Sequence, residues 1–152
     1  MKSQITPQIF IGDYEDAVRL GHPKDWKKIQ VAGYLSPDDR ENLFRTIGNP
    51  EPDYFFPLED APVEKNHENM EKAVAAIRKE VAAGNKVLVY CMAGQSRSPS
   101  TVVAYFMKDE GMQFGDAYNR VKRGRKQATD PIEVAEIVAA GTGRNRRKMM
   151  YD

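Results

Sequence analysis

Val87-Leu88-Val89-Tyr90-Cys91-Met92-Ala93-Gly94-Gln95-Ser96-Arg97-Ser98-Pro99 runs from an unbroken apolar stretch, through a seven-residue loop, into a helix start. Four apolar residues in a row are the pattern of a strand buried on both faces, which a parallel sheet requires. Ser98-Pro99 supplies an N-cap followed by a proline at the first helical position. Thr101 to Met107 is apolar almost all round, so this helix is expected in the core, stopping at Gly111. A loop that enters a helix aims several backbone N–H groups at one point, and the helix dipole adds partial positive charge there. Gly94 permits the backbone to bend round an anion, and the planar fork of Arg97 can grip two phosphate oxygens at once. Cys91 stands at the strand end, at the bottom of this cradle, where surroundings that hold a phosphate dianion also favour a thiolate. Ser98 donates its hydroxyl to that sulfur, caps the helix, or does both. Nothing in the stretch matches the G-x-x-x-x-G-K-[ST] loop of nucleotide hydrolases.

Working outward, short apolar runs alternate with longer amphipathic ones, which predicts an α/β fold: a central, mostly parallel sheet of four to five strands flanked by helices. Ile9-Phe10-Ile11, ended by Gly12, reads as one strand, Ile29 to Leu35 as a second and Tyr54-Phe55-Phe56 as a third. Ser36-Pro37-Asp38-Asp39 starts a helix expected to reach Ile47, and Asn49-Pro50-Glu51-Pro52 breaks it. Met70, Val74, Ile77 and Val81 recur at helical spacing between Asn66 and Ala83, with Gly84 as the stop. Two further helices are expected, Phe114 to Arg123 and Asp130-Pro131 to Ala140. The basic stretch Arg144-Asn145-Arg146-Arg147-Lys148 has no cap and reads as a solvated end. Residues 1–152 are expected to form a single domain, with about 142–152 as a basic C-terminal end.

Composition narrows the function classes. Lys plus Arg (23) nearly balances Asp plus Glu (22), so bulk charge indicates neither nucleic acid nor a membrane surface as partner. Met1 to Phe10 has no apolar stretch long enough for a signal peptide, and no run approaches a membrane span, so a cytoplasmic location is expected. With one cysteine an internal disulfide is impossible. With only His22 and His67 as histidines, no metal-ligand spacing occurs, and no metal or organic cofactor is expected.

The strand and loop from Val87 to Ser98 resemble the C-x5-R-[ST] signature of the protein tyrosine phosphatase superfamily, in its dual-specificity branch. Ile9-Phe10-Ile11-Gly12, Val103-Ala104-Tyr105-Phe106-Met107 and Asp116-Ala117-Tyr118 are similar to that branch too, and the length fits its compact catalytic core. The resemblance implies a phosphatase acting on phosphorylated protein or peptide, most readily phosphotyrosine and also phosphoserine or phosphothreonine, through a phosphocysteine intermediate. In that mechanism Cys91 is the nucleophile. Arg97 and the amides of Met92, Ala93, Gly94, Gln95 and Ser96 bind phosphate, and Ser98 stabilises the departing thiolate. The family places a general acid some thirty residues before the cysteine, and Asp60, in Leu58-Glu59-Asp60-Ala61-Pro62, fits; Glu59 and Asp53 are the other acids nearby. Arg123, Arg125 and Lys126 offer either a second anion site, with Arg125 the substrate-binding candidate, or a solvated helix end that offsets its dipole. Phe56, Tyr105 and Phe106 read as core, and Trp26 as a loop anchor.

Two positions depart from the family pattern. Tyr90 stands where relatives usually have His, so weaker support for the thiolate and slower turnover are expected. Gln127-Ala128-Thr129-Asp130 stands where relatives often carry a proline and an asparagine that support the loop; Asp130 reads as a helix cap. Tyr90-Cys91 also resembles the strand end of rhodanese-like sulfurtransferases, but their loop commonly has one residue fewer between Cys and Arg. A phosphate-binding module without catalysis is the remaining alternative, against which the full set of Cys91, Arg97, Ser98 and an acid weighs. The uncharged interior of the loop favours phosphoprotein over phosphoinositide.

Overall fold

The computed structural model describes residues 1–61 and 63–129. Pro62, the helix expected from Asp130 to Ala140 and the basic end lie outside the described residues. The sheet has five strands: β1 (Ser3–Gln4), β2 (Ile9–Gly12), β3 (Trp26–Gln30), β4 (Tyr54–Phe55) and β5 (Lys86–Tyr90). Their spatial order is β1-β2-β5-β3-β4, with β1 antiparallel to β2 and every other pair parallel. This is the mostly parallel α/β sheet expected from the alternating runs, and β5 lies at its centre.

Side chains of a strand alternate between faces, and β5 uses both. Val87, Val89 and Cys91 join the larger core with Ile9, Ile11 and Ile29. Helices α3 (Asn66–Ala82), α4 (Arg97–Asp109) and α5 (Phe114–Gly124) cover that face. Leu88 and Tyr90 point the other way, against Tyr14 and Ala17 of α1 (Tyr14–Leu20). Each fully buried aliphatic side chain here is worth about 1.5–3 kcal/mol relative to exposure. Tyr105 and Phe106 are core residues, as expected, and Phe56 packs against the core.

Helix α1 has no counterpart among the expected elements. Its start is a capping box: Asp13 accepts from Asp16 N–H at 2.8 Å, and the Asp16 carboxylate accepts from Asp13 N–H at 2.9 Å. Asp-x-x-Asp is a weaker signature than Ser-x-x-Glu, and the helix is only seven residues long. Helix α2 (Pro37–Thr46) begins where expected, with Ser36 Oγ accepting from Asp39 N–H at 3.1 Å.

The second strand is displaced toward the N-terminus, covering Trp26–Gln30 rather than Ile29 to Leu35. Lys27-Lys28 conceals it, because lysine ordinarily marks an exposed position. Lys28 is nevertheless buried, its ammonium donating to Ala17 O of α1 at 3.1 Å. Trp26 is therefore a strand residue and not a loop anchor; it packs on Phe10 with ring centroids 4.7 Å apart.

Candidate active site

Parallel strands deliver their C-terminal ends to one edge of the sheet, where α/β folds bind ligands. Cys91 follows β5 at that edge and is 2% exposed. Val31 N–H donates to Tyr90 O at 2.9 Å, tying the strand end to the chain after β3. The loop then turns and enters α4 at Arg97, with Ser96 as the N-cap.

Ser98 therefore lies inside the first turn of α4 and is not its cap. Proline is tolerated throughout a first turn, whose N–H groups have no helical partner, so Ser-Pro alone does not set the helix register. Freed from capping, the Ser98 hydroxyl lies 3.3 Å from Cys91 Sγ and 3.5 Å from Gly12 O. Gly94 N–H donates to the same sulfur at 3.2 Å. A thiolate only accepts hydrogen bonds, so the site offers it two donors.

Gly94 is obligatory here. Its φ is +67°, and a Cβ would lie 2.5 Å from Arg125 Nη2 and 2.7 Å from Gly12 O. The neighbour it would strike corrects an expectation: Arg125 offers no second anion site. It is 2% exposed beneath the loop, with Nε donating to Gly94 O at 2.6 Å. Its Nη1 reaches Ser3 Oγ at 2.9 Å, Met1 O at 3.0 Å and Ile11 O at 3.3 Å. Burial pushes its pKa below the ordinary arginine value, against the opposing pull of Asp16, Asp13 and Cys91. A guanidinium this enclosed braces the loop from behind.

Thr129 is a second brace. Its N–H and Oγ1 both donate to Gln95 O, at 2.7 and 2.9 Å. It stands in the segment where the sequence lacks the supporting proline and asparagine. Of the other loop residues, Ala93 and Gln95 are exposed, Met92 and Ser96 half-buried. Met92 O accepts from Tyr14 N–H at 3.3 Å, tying the loop to α1.

Arg97 is half-buried, and its Nη1 donates to Leu58 O at 3.3 Å. Leu58 is buried and begins the loop that holds Asp60. The three acids near this loop differ in what they touch. Asp53 accepts from Lys28 N–H at 2.8 Å, and Glu59 pairs with Lys65 at 2.6 Å. The exposed Asp60 carboxylate makes no ion pair or hydrogen bond among the described residues. The loop itself is clamped by Asn66, which binds Glu59 and Ala61 on either side of Asp60.

Tyr90 is fully buried on the α1 side, its hydroxyl donating to Gln30 Oε1 at 2.7 Å, and burial pushes its phenol well above the ordinary value. It hydrogen-bonds across the sheet and not to the loop. Among the described residues, no group of three or more His, Cys, Asp and Glu side chains is arranged to hold a metal ion. Arg125, Thr129 and Asn66 shape the site from positions 25 to 38 residues away from Cys91 in sequence. Sequence marks Arg125 only as a cation near a helix end and Thr129 only within a departing segment, and no local signal marks their contacts with the loop or those of Asn66.

Residues 9–135 match the dual specificity phosphatase catalytic domain. Dual specificity phosphatase 28 of Homo sapiens is 38% identical over 72 residues, covering 47% of this chain and 41% of that protein. Dual specificity protein phosphatase 8 of Mus musculus is 29% identical over 130 residues, covering 81% of this chain and 18% of that protein. The chain spans about half the length, or less, of these curated relatives. In fold it is similar to the crystal structure of human DUSP28, with TM-score 0.66 at 21% identity, covering 95% of each chain.

Proposed function

The chain belongs to the dual specificity phosphatase family, and from that premise we propose that it hydrolyses phosphomonoesters on proteins through a phosphocysteine intermediate. One observation carries the reading: the Cys91 sulfur has the Gly94 N–H and the Ser98 hydroxyl within 3.2 and 3.3 Å, on a loop that leads into Arg97. In the first step the thiolate attacks phosphorus, the P–S bond forms, and the P–O bond to the leaving group breaks. Asp60 gives its proton to the leaving oxygen. In the second step Asp60 takes a proton from water as the water attacks phosphorus and the P–S bond breaks. Sulfur leaves as a thiolate, accepting from Ser98. Arg97 and the loop amides of Met92 to Arg97 hold the equatorial oxygens, where transition-state charge collects.

The substrate class follows from the loop interior. Met92, Ala93, Gln95 and Ser96 carry no charge, which suits a phosphoprotein better than a polyanionic lipid headgroup, and phosphotyrosine has the easiest leaving group. Phosphoserine and phosphothreonine are the slower substrates of this reading. Residues 1–152 act as one catalytic domain, in the cytoplasm, where an unpaired thiol stays reduced. Among the described residues no helix is long and apolar enough to cross a membrane. The family match and the five residues between Cys91 and Arg97 weigh against sulfur transfer.

The test is phosphate release from a phosphotyrosyl peptide. Wild type turns over and Cys91→Ser shows no turnover while still binding the peptide. Unchanged turnover in Cys91→Ser would exclude Cys91 as the nucleophile, and thiocyanate formation from thiosulfate and cyanide would move the reading to a sulfurtransferase.

A further inference from the structure

Asn66 is the first residue of α3 and is 1% exposed, yet its side chain caps nothing in its own helix. Its Oδ1 accepts from Glu59 N–H at 2.9 Å, and its Nδ2 donates to Glu59 O at 3.0 Å and to Ala61 O at 2.9 Å. Both amide hydrogens and one acceptor site are therefore spent on the two residues that flank Asp60. One turn further along α3, Asn69 Nδ2 donates to Pro57 O at 2.8 Å. Between these anchors Leu58 N–H donates to Val31 O at 3.2 Å, with the Leu58 side chain buried below. The backbone from Pro57 to Ala61 is thus held from α3 and from the end of β3. Glu59 and Asp60 both turn to solvent from this support, but Glu59 is paired with Lys65, whereas the Asp60 carboxylate has no ion pair or hydrogen bond among the described residues.

We propose that Asn66 is a positioning residue for Asp60, holding the carboxyl where it can protonate the leaving oxygen; the inference rests on the phosphatase reading above. General acid transfer needs a heavy-atom separation of about 2.6–3.2 Å. A displacement of about 1 Å in a catalytic group costs on the order of 10²-fold in rate. Asn66→Ala leaves Glu59 N–H, Glu59 O and Ala61 O without their buried partner, so these groups turn to water and the loop leaves its place. Binding of the phosphoryl group to the Cys91 loop does not pass through Asn66. The loss in phosphoenzyme formation, which kcat/KM reads, therefore goes only as far as the leaving group needs a proton, whereas the task of Asp60 toward water in the second step is the same for every ester.

The experiment measures kcat and KM for two aryl phosphates of differing leaving group, phenyl phosphate and a difluorinated methylumbelliferyl phosphate. Wild type, Asn66→Ala, Asp60→Ala and the double variant are compared. Asn66→Ala is expected to lower kcat/KM on phenyl phosphate by about 10–100-fold, part of the ~10²–10⁴ a general acid supplies. On the activated ester kcat/KM should fall less than about threefold. In the Asp60→Ala background, Asn66→Ala should add no further loss, because the group it positions is gone. Equal losses of kcat/KM on both esters, or full additivity with Asp60→Ala, overturn the proposal and leave Asn66 a merely structural residue. If Asn66→Ala does not fold, Asn66→Asp, which keeps the acceptor and loses both donors, and Asn69→Ala are measured in the same way. An Asp60→Ala variant with no leaving-group-dependent loss refutes the general-acid assignment instead, and so separates the two failures.

Discussion

Replacing Gly94 by Ala isolates the physical demand that the catalytic loop makes on its backbone. An alanine at φ +67° pays the left-handed penalty of roughly 1–2 kcal/mol. Its Cβ would also lie 2.5 Å from Arg125 Nη2 and 2.7 Å from Gly12 O, closer than real Cβ atoms approach. Neither neighbour yields cheaply, since one is backbone and the other is a guanidinium held by Gly94 O, Ser3 Oγ, Met1 O and Ile11 O. Relief requires breaking the 2.6 Å bond from Arg125 to Gly94 O, a hydrogen bond to a charged group worth about 1.5–3 kcal/mol. The total expected destabilisation is about 3–5 kcal/mol. Gly84 and Gly111 are the internal controls, because both have positive φ and neither has any atom within 4 Å of a built Cβ. Their alanine variants should lose only the conformational part. Urea unfolding at neutral pH, with a shared slope, gives the three values. If Gly94→Ala falls within about 1 kcal/mol of Gly84→Ala, the loop is not packed against Arg125 as described and the reasoning fails.

Arg125→Met should destabilise the fold by about 3–5 kcal/mol, since its loss strands buried carbonyls, whereas Arg123→Ala on the same helix end should change unfolding by less than about 0.5 kcal/mol; near-equal unfolding midpoints would refute the buried brace. Ser98→Ala should slow breakdown of the phosphoenzyme more than its formation, seen as a larger burst of phenol in rapid-mixing kinetics, and a burst of unchanged size refutes the hydroxyl's role at the sulfur. The hydrogen bond from Tyr54, followed by that from Asn85, holds the buried Glu80 carboxyl below the ordinary range, and the same pairing raises the Tyr54 phenol to about 12. A depressed carboxylate contributes stability above its unfolded pKa of about 4.3 that is lost as pH falls through the folded value. The raised phenol contributes below about pH 10 and loses this as pH rises through about 12. Tyr54→Phe should flatten the unfolding free energy on both limbs; an unaltered pH profile refutes the coupling.

Much of the fold was written in local patterns. The apolar run from Val87 to Tyr90 determined a two-sided buried strand, because a strand without polar alternation has no face to give to water. Ser36-Pro37 determined the start of α2 because capping is settled within three residues. The weak capping box of α1 and the lysines of β3 concealed their elements. Lys28 became legible only once α1 brought Ala17 O to its ammonium.

The candidate site divides in the same way. Chain order alone placed Cys91, Gly94, Arg97 and Ser98 together, because one strand, one loop and one helix start carry all four. Sequence could not decide whether Ser98 caps α4 or meets the sulfur, since both uses suit the same hydroxyl. Nor could it decide whether Arg125 faces substrate or belongs to a solvated helix end, since a cation near a helix end suits either, and support of the loop was not legible at all. The tertiary structure decided both through packing. Gly12 and Ile11 come from β2, and with Gly94 they enclose Arg125 beneath the loop and leave Ser98 beside Cys91. Contacts between residues 31 to 114 positions apart depend on how the sheet and helices stack, and no local pattern encodes that stacking.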